Sequence, residues 1–514
     1  MHTVNARRGL FTAFLLSVLV LTGCNPASES QQDDGGPFII ARTADIDGRD
    51  PAVATAFQTL QTLGLTYDTL VETNDAGDIE PSLATDWQVS GDGRTLTLTL
   101  RDGVTFHNGA TFTAADAKAT IDRLLDPQTG SVVASNLANV SAVRADGDRT
   151  LVIELSRPDT ALLNVLAHNG TSMLDEKDIA SGAVGREVNG TGPFRWESWQ
   201  QGEKVTLQAN QDYWGETPQL DTVEMRVIPD ESSILSGMRA GSFDMGIVTD
   251  PSVADQVNSD EMQLVSQPTL SYHVLQLNAQ RGPLSELPVR QAIACAIDRE
   301  QVVQTAYFGQ GEVTGPITSP GYDVTATEGL PCDPPDLDAA RQLLADAGHA
   351  DGLRLQTIVM VGEYATATNI AQSVQAQLQK IGVTLDLQQQ QTNVYVDNWL
   401  NANYDAAVAL NGGDTDPYLM YGRYFSDNAS LAKPAGLSDP RLNQLLQQAN
   451  TTTDEAQRQQ LFGQLQQELL RLSPWVWLQQ NQSYYLLGND VEGFQAQTTE
   501  SLDALADTSR GASG

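Results

Sequence analysis

The sequence predicts an α/β protein with more than one lobe. Beyond about residue 280, amphipathic helical stretches alternate with short apolar strands, the pattern of helices packed on a sheet. Before residue 160, two Asp-Gly turns each stand between strand-like runs, as in β-hairpins. A chain of 514 residues is also long enough to bury several cores.

At the N-terminus, Arg7 and Arg8 precede an apolar stretch from Leu10 to Leu21. That is well short of the roughly 20 residues needed to cross a bilayer, so residues 1–23 are expected to be a signal peptide. Its ending, Leu21-Thr22-Gly23-Cys24, resembles the bacterial lipoprotein box. The resemblance implies cleavage before Cys24 and lipidation of that residue, where several acyl chains hold stably and one would not. The polar run through Asp33-Asp34 and Gly35-Gly36 makes residues 24–36 a flexible tether.

The first hairpin is "TDWQVS" from Thr85 with "GDGRTLTLTLRDGVTF" from Gly91, and the second is "VSAVRA" from Val140 with "ADGDRTLVIELSRPDT" from Ala145. Between them, Thr113 caps a helix with Asp116 at its third position; Ala117, Ile121, Leu124 and Leu125 share one face, and the helix ends near Pro127. Further helices are predicted at 288–306, at 336–347 stopped by Gly348, at 368–381 stopped by Gly382, and at 454–472. Strands are predicted at 353–361, 383–388 and 404–410. Open α/β sheets bind ligands beyond the carboxyl ends of their strands, which singles out the loops "GEYATAT" from Gly362 and "NGGDTDPYLMY" from Asn411.

Composition narrows function. With 29 basic against 65 acidic residues, the net charge is −36, so nucleic acid is not an expected partner. The five histidines are scattered and the cysteines show no paired spacing, so neither a metal site nor a cofactor is expected. No phosphate-cradling Gly-x-x-x-x-Gly-Lys and no Gly-x-Ser-x-Gly elbow occurs. Asp45, Asp47 and Asp50 lack the twelve-residue calcium loop and read as solvated turn carboxylates. Cys295 and Cys332, in an export compartment, are either bridged or two separate buried thiols.

Six stretches carry a resemblance over most of the chain: residues 67–117, "GTGPF" (190–194), "NQDYWGETPQLDTVEMRVIPD" (210–230), "VRQAIACAIDRE" (289–300), "DLDAARQLLADAG" (336–348) and "QAQLQKIGVTLDL" (375–387). In this order and spacing they resemble the peptide/nickel class of extracellular solute-binding proteins (family 5), the binding lipoproteins of ABC importers. The resemblance implies a two-lobed, periplasmic-binding-protein-like fold (type II, cluster C) with an extra domain. Lobe I would take 37–61, 187–275 and 480–508, the extra domain 62–186, and lobe II 276–479. It also implies a monomer that closes about a hinge on its ligand and docks on permease subunits at the outer face of the cytoplasmic membrane.

In peptide-binding relatives, an Asp at the position of Asp414 holds the ligand's amino group, a contact that strengthens as the cleft closes. Gly412 and Gly413 before it would let backbone approach closely. The alternative is a turn aspartate capping its own loop. Asp416, followed by Pro417, reads as a turn residue. The aromatic that such relatives often carry near Asn411, itself a candidate ligand contact, is missing here; Tyr418 and Tyr421 are candidate stacking walls, with core packing the alternative. Tyr272 and His273 lie in "LSYHVLQLN", which resembles the second hinge strand, so both are candidates to face the cleft and touch ligand, with a structural hydrogen bond the alternative for His273. Dipeptide-binding relatives place a carboxylate-clamping arginine in the loop before the helix at 368, but this chain reads Gly362-Glu363-Tyr364 there. Glu363 with Asp414 would favour amine-rich ligands, or longer peptides held by their backbones. The reading is therefore a receptor, not an enzyme, for oligopeptides or related amine-bearing solutes. A nickel chelate, an opine or a carbohydrate on platforms such as Tyr395, Trp399 and Tyr418 is the alternative cargo, and an envelope enzyme or non-transport sensor the alternative class.

Overall fold

A computed structural model describes residues 36–320, 322, 329–361, 366–426 and 429–511. The signal peptide, Cys24 and the tether up to Gly35 lie outside the described residues. Ten strands form the main sheet: β1 (Phe38–Arg42), β2 (Phe194–Gln200), β3 (Lys204–Ala209), β4 (Thr222–Val227), β5 (Met245–Val248), β6 (Gln263–Leu277), β7 (Leu353–Val361), β8 (Val383–Gln391), β9 (Ala406–Asn411) and β10 (Trp475–Leu487). Their order is β8-β7-β9-β6-β10-β5-β1-β4-β3-β2.

The long antiparallel pair β6 and β10 joins the two halves of this sheet. One end of β10 pairs with β5 through Tyr484–Leu487, whereas the opposite end faces the part of β6, Tyr272–Gln276, that also pairs with β9. Their register breaks between Pro268 and Tyr272, where proline offers no N–H to the ladder. Beyond them, β7 runs parallel to both β8 and β9, so the three carboxyl ends, Val361, Gln391 and Asn411, lie at the same end of the sheet. Parallel strands buried on both faces read as continuous apolar runs, which is why "LRLQTIVMV" and "AAVAL" were legible.

One core packs Val289 and Ile293 of helix Leu287–Ala296 and Ile370, Val374 and Leu378 of helix Ala367–Gln379 against Leu355 and Val359 of β7. On the other face, Tyr395 joins Ile358, Met360 and Tyr404. A separate four-stranded antiparallel sheet takes both predicted hairpins, in the order Ala84–Val89, Thr95–Leu100, Thr150–Leu155, Val140–Asp146. Its alternating Leu96, Leu98, Leu151 and Ile153 face Ile121 and Leu124 of helix Ala114–Leu125. At that helix's start, the Asp116 carboxylate accepts from the N–H and Oγ1 of Thr113.

Four expectations need correction. The stretch 288–306 is two helices, Leu287–Ala296 and Arg299–Ala306, because Asp298 caps the second by accepting from Gln301 N at 3.0 Å. The Gln377 side chain holds that break from both sides, accepting from Asp298 N and donating to Asp298 O. The strand expected at 383–388 runs on to Gln391 beside the long β7, and helix Thr392–Leu400 follows directly. Within the supposed loop from Asn411 lies helix Pro417–Phe425, capped by Asp416 and opened by proline. Nor are the early aspartates merely solvated: Asp47 accepts from Thr55, Ala56 and Thr59, and Asp50 is half-buried in an ion pair with Arg123.

Cys295 and Cys332 are joined by a disulfide that ties helix Leu287–Ala296 to the segment before helix Leu337–Asp346. Asp416, fully buried, forms an ion pair with Arg458 of helix Glu455–Leu472 while accepting from Tyr418 N at 2.8 Å. Removing one partner of such a pair strands the other charge in the interior. Asp416→Ala is therefore expected to cost about 3–5 kcal/mol of unfolding free energy, read as a lowered urea midpoint with the slope unchanged.

Candidate functional site

A cavity of about 320 Å³ lies at the carboxyl ends of β7 and β9, the size of a small-ligand site. Strand β9 contributes Asn411, and the following Gly412 forms part of the wall. His273 of β6 reaches the same space because it sits opposite Leu410 in the antiparallel pairing. Helix Thr392–Leu400 adds Tyr395 and Trp399, and helix Pro417–Phe425 adds Arg423 and Tyr424. A second cavity, of about 300 Å³, lies beside Cys332, Arg299 and Trp477 and touches none of the residues expected to bind ligand.

The aromatic wall is fixed by its polar ends. Tyr395 donates its hydroxyl to Val408 O at 2.8 Å, and Trp399 donates Nε1 to Gln276 Oε1 at 2.6 Å. With those groups satisfied, the rings present an apolar lining. His273 is 2 % exposed and stands edge-on to Tyr307 with ring centroids 5.6 Å apart. Burial pushes its pKa down to about 3, so it is a neutral imidazole at any physiological pH.

The segment after β9 is shaped by two unlike glycines. A side chain at Gly413 would meet the Leu270 carbonyl oxygen at 1.9 Å, so this glycine serves packing against β6. Gly412 is open, with the Arg423 guanidinium 3.8 Å from where a Cβ would stand. Asp414 follows, anchored by its own carbonyl accepting from Ser319 Oγ at 2.7 Å. One of its carboxylate oxygens accepts from Asp416 N at 3.3 Å, the loop-capping bond weighed from the sequence. Its pKa is raised to about 6, first by burial and then by the Asp416 carboxylate, while the Asp416 N–H and Arg423 pull the other way. Asp414 is thus a carboxylate whose charge is only weakly compensated.

The structure thus brings His273 and Asn411 together in the cavity, with Asp414 two residues beyond the lining Gly412. Tyr272 does not line it: fully buried, its ring packs 6.5 Å from that of Tyr421. Tyr418 lies elsewhere too, half-buried against Gly422 and within the electrostatic influence of Asp159, which follows the last strand of the four-stranded sheet. Nearby, Thr415 accepts from Asn164 at 3.0 Å, so this end of the helix contacts helix Leu162–Leu166. Glu363 lies outside the described residues. Sequence reasoning missed Arg423 and Tyr424. The Asp416-Pro417 pair, a cap followed by proline at the first helical position, was the available signal for the helix that carries them.

The sequence model for bacterial extracellular solute-binding proteins, family 5 (middle part), matches residues 78–431. The chain belongs to this family. It is accordingly a transport binding protein and not an enzyme. It is 26% identical over 506 residues to the probable D,D-dipeptide-binding periplasmic protein DdpA of Escherichia coli K12, covering 94% of this chain and 96% of that one. Among solved structures it resembles AgaA from A. tumefaciens R10 in complex with agropinic acid, at 26% identity and a TM-score of 0.79, covering 93% of this chain and 99% of that one. It also resembles DppA from Helicobacter pylori in complex with the peptide STSA, at 25% identity and a TM-score of 0.78, covering 93% and 98%. The fold is the two-lobed α/β architecture of periplasmic binding proteins. Among the described residues, no group of three or more His, Cys, Asp and Glu is placed to hold a metal ion, and no helix is long and apolar enough to cross a membrane.

The raised pKa of Asp414 has a stability consequence. A carboxylate titrating higher when folded favours folding in its protonated form, and that contribution is lost as pH rises from about 4 through about 6. Asp414→Asn removes the cost of the charge. The unliganded variant is expected to exceed wild type by about 1–2 kcal/mol at pH 7.5 and to match it near pH 4, measured by urea unfolding at both pH values.

Proposed function

We propose that this protein is the membrane-anchored binding component of an ABC importer, capturing oligopeptides or related amine-bearing solutes by closing its two lobes. Cys24 is the lipidated residue, residues 24–36 are the tether, and the mature monomer works at the outer face of the cytoplasmic membrane, handing its cargo to permease subunits. The lobes meet at β6 and β10; lobe I takes 37–61, 187–275 and 480–508, the extra domain 62–186, and lobe II 276–479. Closure about those strands would bring lobe I over the cavity and exclude water from it.

The observation that carries this reading is Asp414: a poorly compensated carboxylate next to a small-ligand cavity at strand carboxyl ends. A ligand ammonium would supply the missing positive charge and strengthen on desolvation. The names of the DdpA and DppA relatives support a peptide cargo. The AgaA likeness favours, as a second reading, a single small opine-type acid.

Mass spectrometry of the purified mature protein, sprayed native and then denatured, tests the reading by showing what co-purifies. A ladder of peptide masses is the expected result; a single non-peptide or metal-containing mass would replace the peptide reading. With a bound peptide in hand, Asp414→Ala is expected to weaken affinity by at least about 1.5 kcal/mol, roughly tenfold, in calorimetry. Wild-type affinity should fall about tenfold per pH unit below about 6, because binding the ammonium must then displace a proton from Asp414. A flat pH profile would remove Asp414 from the site.

A further inference from the structure

We propose that Arg423 is the ligand's carboxylate anchor, so that the cavity takes the free-acid end of the cargo onto its guanidinium with that end's apolar body against Tyr395, Trp399 and Met360. The inference rests on the binding reading above and specifies which end of the solute enters the cavity.

The argument starts from what surrounds this arginine. The chain carries a net charge of −36, and a good part of its cations sit in ion pairs. Arg123, Arg226, Arg458 and Arg510, for example, each have an acidic partner within 4 Å. Among the described residues Arg423 has none, although it lines the cavity. Its Nη2 donates to the Gly412 carbonyl, and its Cζ lies 5.1 Å from the Tyr424 ring centroid. Its Nε is buried with no hydrogen-bond partner among the described residues. A guanidinium offers five N–H groups in a planar fork that fits a carboxylate, and a buried donor left unmade costs the protein stability. Such a group, held by a backbone carbonyl and an aromatic face, is poised for an anion supplied from outside.

The rest of the wall restricts that anion. His273 is kept neutral by burial and adds no second cation, which argues against a multiply charged group such as a phosphate ester. The lining Met360, Tyr395, Val396 and Trp399 suits an apolar residue bearing the carboxylate. Asp414, whose field Arg423 feels, provides the opposite charge nearby without pairing within 4 Å. A guanidinium and a carboxylate close enough to feel each other's field, yet not paired, suit a ligand that carries both charges. Arg423 would thereby supply the guanidinium that the Gly362-Glu363-Tyr364 segment lacks.

The test uses Ala-Phe, Ala-Leu and Ala-Ala-Phe, each as free acid and as C-terminal amide, titrated calorimetrically into the full mature chain and into Arg423→Gln and Arg423→Lys. Circular dichroism melts confirm that each variant is folded. The expected result is that free acids bind wild type at least about tenfold tighter than amides. Arg423→Gln should bring the acids down to the level of the amides and leave the amides unchanged, with Arg423→Lys recovering part of the gap. Equal affinity of acid and amide on wild type overturns the proposal while leaving peptide capture standing. So does an Arg423→Gln loss shared equally by acid and amide, since that is what a purely structural role through the Gly412 carbonyl would give. Failure of every peptide in both forms would instead overturn the peptide reading, and the anchor with it.

Discussion

The placement of the site depends on the packing of helix Pro417–Phe425 against the crossing strands. Tyr421, fully buried, accepts a hydrogen bond from Trp477 Nε1 at 3.0 Å and donates its own to the Pro316 carbonyl. Around it Tyr424, Phe425 and Trp475 close an aromatic cluster with centroid separations of 5.0–6.3 Å. Those contacts fix the helix rotation, and the rotation aims Arg423 and Tyr424 at the cavity. The Asp416–Arg458 pair fixes the helix start in the same way and leaves Asp414, just before it, with a second carboxylate close by. One packing decision thus sets both charges of the site.

This arrangement separates roles that the sequence runs together in a few residues. Within Asn411–Tyr418, Gly413 serves the backbone, Asp416 serves the helix and Thr415 with Tyr418 serves the contact with Asn164 and Asp159. Asn411 and Gly412 line the cavity, and Asp414 stands next to them with its charge in excess. A polar segment can carry several functions because each residue is held by a different neighbour.

Much of the fold was legible because its signals are local. The Asp-Gly hairpins, the Thr113–Asp116 cap, the glycine stops at 348 and 382, and the apolar run of β7 each specify structure without help from distant residues. The break at Asp298 was not, since the two helices flanking it share an apolar face and the local Asp298 cap is braced by the Gln377 side chain, far along the chain. Helix Pro417–Phe425 escaped because it is short, rich in aromatic residues and buried on most sides, and it directly follows the polar Asn411–Asp416 turn. Of the site, the loop at Asn411 and the strand at His273 could be found from topology and resemblance. Arg423 could not, because its role follows from the rotation of a helix set by tertiary packing. That Tyr272 and Tyr418 stand outside the cavity was hidden for a related reason: a tyrosine beside a cleft and one in a core look alike until the neighbours are known.

The most direct test of the account is the crystal structure of the protein loaded with its co-purified ligand. The account predicts ligand density in the cavity between Asn411 and Trp399, within hydrogen-bonding distance of the Asp414 carboxylate and beneath a closed lobe I. Ligand density in the second cavity beside Cys332, or on the hairpin domain with Asn411–Asp414 untouched, would contradict it.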